Sequence, residues 1–149
     1  MDKTFLQPLV TNNVLICTLL AWVVAQGIKI AIGIFRQRRF DFRWLIGTGG
    51  MPSAHAAGVS ALATSLAIKY GLDSGLFALG FVFAIVTMFD AQGVRRAAGR
   101  QAAILNKLIS EHEPNFKIQE KRLIELLGHT PVEVLAGAVV GILISIIYF

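Results

Sequence analysis

From Leu9 to Phe35 the only charged side chain is Lys29. That apolar run exceeds the about 20 residues a helix needs to cross a hydrocarbon core. Further apolar stretches are expected as helices from about Pro52 to Tyr70, from about Leu76 to Phe89, and from the Gly128–Glu133 opening to Phe149. With 55% hydrophobic and 15% charged residues and a mean hydropathy of +0.66, a soluble domain of 149 residues could not bury so much apolar side chain. The expected fold is therefore all-α: one multi-pass integral membrane domain over residues 1–149, a bundle of about four transmembrane helices with interfacial helices between them. The basic cluster follows the first apolar run and no Ala-x-Ala exit precedes it, so a cleavable signal peptide is not expected.

Cys17 is the only cysteine; it excludes an intrachain disulfide and any cysteine-cluster metal site. The net charge of +5 lies mostly between the apolar runs, which points to membrane topology and anion attraction, and not to nucleic acid. Residues Met1–Gln7 read as a short polar lead. No repeat, zinc-ligand spacing, dinucleotide fingerprint or Walker loop is present.

The segment Gly49-Gly50-Met51-Pro52-Ser53-Ala54-His55 combines glycines that turn the backbone, a proline suited to a helix start and a serine that can cap. Amides near Gly50 and Ser53 would favour a phosphate at the helix N-terminus, and His55 would sit in the first turn as a proton donor or acceptor. A capped helix with an interfacial histidine is the alternative. Lys29 shares a helix face with Gln26; it is either functional at that depth or snorkels to the headgroups. Arg36 to Trp44 reads as a basic, aromatic interfacial loop. Arg95 and Arg96 open a second unusual segment, with Ala98, Gln101, Leu105 and Leu108 at helical spacing, and could clamp a phosphate or face anionic lipid. Glu111–Asn115 reads as a surface loop containing His112, and Glu120–Leu127 as a short amphipathic helix. His129 and Glu133 are four apart, so the carboxylate could orient the imidazole. With four spans alternating in direction, Lys29, His55, Asp90–Arg96 and His129 come out at one membrane face.

At these residues the chain resembles the short, divergent membrane branch of the type-2 phosphatidic acid phosphatase and vanadium haloperoxidase superfamily. Pro52-Ser53-Ala54-His55 is similar to its Pro-Ser-Gly-His motif, and His129-x-x-x-Glu133 to its His-x-x-x-Asp motif. The resemblance extends over Ala25–Lys29, Asp90–Asn106 and Leu127–Glu133. It implies a reduced version of that phosphatase core and a phosphatase without metal or cofactor, acting on a lipid phosphate or diphosphate, isoprenoid or glycerolipid. In it His129 attacks phosphorus, Glu133 positions His129, and His55 protonates the leaving alcohol. Lys29, Gly50, Ser53, Arg95, Arg96 and Arg122 would bind the phosphoryl oxygens. Membrane lipids are the implied partners; a homo-oligomer is left open.

The motifs also depart from the superfamily pattern. Arg122 lies seven residues before His129 where the family arginine lies six, which rotates a helical side chain by about 100°; Arg95 or Arg96 is the other source of a guanidinium. Glutamate for aspartate adds a methylene and is expected to loosen the imidazole. A catalytically silent lipid-phosphate binder or assembly protein of the same fold is the alternative function. Eleven of the fourteen basic residues (Arg36, Arg38, Arg39, Arg43, Arg95, Arg96, Arg100, Lys107, Lys117, Lys121 and Arg122) fall on the site's side, which by the positive-inside rule is the cytosolic face.

Overall fold

The computed structural model describes residues 3–38, 50–112 and 128–149, and all regular structure among them is helical. Most of the Arg36–Trp44 loop, the Glu120–Leu127 helix and Arg122 lie outside the described residues. Helix α1 covers Lys3–Val10 and α2 covers Asn13–Gln37. The expected polar lead is thus helical, and the first apolar run is divided at Thr11-Asn12. The division has a local cause. The Asn12 side chain accepts from the amides of Val14 (3.1 Å) and Leu15 (3.2 Å), satisfying N–H groups that a helix start leaves without partners.

Helix α3 spans Ala54–Tyr70 behind the cap Ser53, and α4 spans Gly75–Gln92 behind the cap Ser74. Helix α5 spans Val94–His112, and α6 spans Pro131–Tyr148 behind the cap Thr130. Two boundaries differ from expectation. At the start of α3, Pro52 precedes the cap and does not occupy the first turn. Glu111 and His112, expected in a loop, finish α5, because the helical periodicity continues until Pro114 approaches.

The chain is an integral membrane protein with a polytopic helical fold. Among the described residues, three helical stretches are long and apolar enough to cross a membrane: Asn13–Arg36, Gly75–Lys107 and Pro131–Tyr148. The expected fourth, α3, has only 17 residues, about 26 Å at 1.5 Å per residue, and is rich in Ala, Ser and Gly. Its composition follows from its position: α2, α4 and α6 all pack on it, so its surface meets protein and has no need of large apolar side chains.

The packing is carried by small residues spaced four apart. On α2 these are Cys17, Ala21 and Ala25, all fully buried. On α3 they are Ala57, Ala61 and Ser65, and on α6 Gly137, Gly141 and Ser145. A β-carbon at Gly137 would run into the Ser53 carbonyl oxygen, and one at Gly141 into the Ala57 carbonyl oxygen. With no such atom, the backbones of α3 and α6 touch, the close approach that small residues permit between membrane helices. At the far end, the Ser145 hydroxyl lies 3.0 Å from the Ala61 carbonyl and accepts from Ser65 Oγ (3.3 Å) and Cys17 Sγ (3.5 Å). Interhelical bonds of this kind contribute roughly 0.6 kcal/mol each in a membrane.

These contacts fix direction. Ala25 clusters with Ala54 and Ala57 while Cys17 reaches the Ser65 end, so α2 and α3 are antiparallel. Gly80 faces Ala63 and Leu66, and Ala91 clusters with Ala56 and Val134, so α4 is antiparallel to α3. Helix α6 runs parallel to α3. The starts of α3 and α6 and the ends of α2 and α4 therefore meet at one end of the bundle.

Candidate active site

Each small-residue row, continued by one step of four toward that common end, reaches a polar residue. Beyond Ala25 lies Lys29, before Ala57 lies Ser53, and before Gly137 lies Glu133, with His129 one step further. The close packing that brings the helices together thus also delivers these side chains to one place.

Glu133 occupies the third position of α6 and forms a capping box with Thr130. Its carboxylate accepts from the Thr130 amide (3.2 Å), while Thr130 Oγ1 accepts from the Glu133 amide (3.3 Å). The same carboxylate oxygen, Oε2, is 3.0 Å from His129 Nδ1. A carboxylate is acceptor-only, so Nδ1 carries the hydrogen and Nε2 of a neutral ring keeps its lone pair. Glutamate is expected to orient the imidazole less firmly than aspartate; in this structure the added methylene lets one carboxylate oxygen reach both the cap and the ring.

His129 is 2% exposed, and its amide donates to the Ala91 carbonyl (2.9 Å) in the last turn of α4. The preceding Gly128, at φ +93°, supplies the left-handed turn into this position. His55, in the first turn of α3, is half-buried, and its ring centroid lies 6.3 Å from that of His129 with the planes at 59°. The two imidazoles, remote in sequence, are neighbours.

Lys29 approaches from the last third of α2, half-buried beside buried Gln26. Its methylenes cover Gly50, where a β-carbon would come within 3.2 Å of Lys29 Cδ. Gly50 is exposed and has φ +95°, so both its backbone and its contact with the lysine favour glycine. The Lys29 ammonium is close enough to Glu133 for their charges to interact.

Ser53 does not match its expected role as an open amide cradle. Its N–H donates to the Glu133 carbonyl (3.0 Å), its Oγ accepts from the Ala56 amide (3.3 Å), and the residue is fully buried. It is a joint between α3 and α6, and of the two residues Gly50 is the exposed one. Arg95 and Arg96 lie in the first turn of α5, just beyond the α4 turn that carries Ala91 and half-buried Asp90.

Two contributors escaped the sequence reading. Thr130 had a visible signal, the Thr-x-x-Glu capping box, whereas a carbonyl acceptor such as that of Ala91 leaves no trace in side-chain chemistry. The i, i+4 spacing of Gly137, Gly141 and Ser145 was also legible as a close-packing face.

Residues 10–144 match the model of the Divergent PAP2 family. The uncharacterized membrane protein YuiD of Bacillus subtilis (strain 168) is 45% identical over 150 residues, covering 93% of this chain and 95% of that protein. No solved structure matches. By the span of the family match and the level of identity, the chain belongs to the Divergent PAP2 family.

Proposed function

We propose that the protein is a membrane phosphatase that hydrolyses a lipid phosphate or diphosphate, isoprenoid or glycerolipid, through a phosphohistidine. The observation that supports it is the Glu133–His129 pair with the His55 ring beside it. Holding the hydrogen on Nδ1 directs the Nε2 lone pair of His129 at phosphorus. The new N–P bond forms as the ester P–O bond breaks, and His55 gives its proton to the departing oxygen. Neutral His55 then takes a proton from water, whose oxygen attacks phosphorus; the N–P bond breaks and phosphate leaves. Lys29, the Gly50 amide and the arginines at the start of α5 meet the charge on the phosphoryl oxygens, with Arg122 a further candidate. Divalent metal is not required in this scheme.

The site lies at one end of the spans, where a headgroup can enter while its chains stay in lipid. The excess of basic residues at that end supports a cytosolic site. Purified protein in detergent–lipid micelles with chelator should release phosphate from isoprenoid or glycerolipid phosphates. His129→Ala should lower the rate by roughly 10⁴ or more, as when a nucleophile is removed, and His55→Ala should also be severely impaired. Full activity in both variants would overturn the mechanism. Saturable lipid-phosphate binding with no release across such substrates would instead select a silent binder.

A further inference from the structure

Beyond the arginines of its first turn, helix α5 carries a surface that the proposed catalysis does not use. Helix α4, with 18 residues, is about 27 Å long and nearly consumes a hydrocarbon core of about 30 Å. The chain then breaks at Gly93, whose amide closes α4 by donating to the Phe89 carbonyl (2.8 Å), and α5 begins at the headgroup level. Unlike α4, α5 is two-sided. Gly99 and Ala102 are buried on one side, and α5 packs on α4. At 100° per residue, positions Arg100 and Lys107 fall within an arc of about 20°. Over roughly the next 140° the same helix places Ile104, Leu108, Val94 and Leu105. Ile104 is 61% exposed and Leu105 49%.

A helix facing only water has no use for an exposed Ile–Leu strip, and a helix inside hydrocarbon would not expose Arg100. A basic edge directly beside an apolar strip fits the boundary between headgroups and acyl chains. We propose that α5 lies along the bilayer surface at the active-site end, with Ile104 and Leu105 in the upper acyl region, and collects anionic lipid headgroups along Arg100 and Lys107. The negative charge of the headgroups complements the arc, and direct continuity with the spanning α4 places the helix at that depth. The site end of the protein therefore carries a local shell of acidic lipid.

Two measurements on the full chain in phosphatidylcholine–phosphatidylglycerol vesicles test this, and neither requires turnover. In the first, spin-labelled phosphatidylglycerol competes with spin-labelled phosphatidylcholine for the lipid layer around the protein. Neutralising both Arg100→Gln and Lys107→Gln should reduce the phosphatidylglycerol preference, on the order of fivefold for each cation at about 1 kcal/mol apiece. Lys69→Gln, at the opposite end of the bundle, should leave it unchanged. An undiminished preference in the double variant would overturn the proposal.

The second measurement keeps the α5 charges intact, so it tests the placement of the helix even if the double variant fails to fold. A nitroxide at Ile104→Cys, in a Cys17→Ser background, should collide with membrane-dissolved oxygen more readily than with a water-soluble nickel chelate. A label accessible mainly to the chelate, or shielded from both reagents by a second copy of the chain, would overturn the proposal.

Discussion

Glu133 serves two structures with one oxygen, closing the cap of α6 and fixing the hydrogen on His129 Nδ1. Mutation should remove both roles together. In Glu133→Ala neither the Thr130 amide nor Nδ1 keeps its acceptor, so stability should drop by about 1 kcal/mol while kcat falls by on the order of 10³–10⁴, the scale of a wrong-tautomer defect. Thr130→Val removes the acceptor for the Glu133 amide. Stability should drop by about 1 kcal/mol and kcat by at most roughly fivefold, with Thr130→Ser restoring both; melting curves and steady-state kinetics in the same detergent check each outcome. The pair His129-x-x-x-Glu133 was legible in the sequence because helical geometry alone puts it on one face. Ser53 was only half legible. Its capping role followed from residue type, but its amide is engaged by the Glu133 carbonyl, and a contact between backbones leaves no residue-type signature.

At the scale of the helix, the glycines of this bundle are not equivalent. A β-carbon at Gly141 would meet backbone atoms of Ala57 and Ala61, which cannot move without α3. At Gly80 it would meet Leu66 Cδ1 at 2.7 Å, the flexible end of a side chain, and at Gly27 it would meet nothing within 4 Å. Gly141→Ala should therefore destabilise the protein by about 1–3 kcal/mol or more, and Gly80→Ala by clearly less. Gly27→Ala should be neutral or stabilising by up to about 1 kcal/mol. Unfolding in mixed micelles would rank the three, and equal effects would contradict the register of α3 and α6. Apolar run length located α2, α4 and α6 in the sequence. It also located α3 to within two residues at its start, where the inner position makes the helix short and rich in small residues, but it missed the break at Asn12, where a polar cap outweighs the surrounding hydrophobicity.

At the scale of the whole molecule, antiparallel packing of α2 and α4 against α3, with α6 parallel to it, brings Lys29, Gly50, His55 and His129 to one end. Alternating spans made this convergence predictable, but not the contact between the two rings, which depends on how closely Gly137 lets α6 approach α3. The proposed cytosolic orientation rests on the charge distribution. A cysteine at Leu72, which is 72% exposed in the turn after α3, should react with an impermeant maleimide on intact cells, while one at Asn115 should react only after permeabilisation; the reverse pattern would place the site outside. The central claim is that His129 and His55 act on one phosphoryl group. The direct measurement is to mix the protein with a radiolabelled lipid phosphate, quench in alkali within a single turnover and locate the bound phosphoryl group by peptide mapping. Label on His129, absent in His129→Ala, is the predicted result; turnover of the native protein with label on another residue, or persisting in His129→Ala, would contradict it.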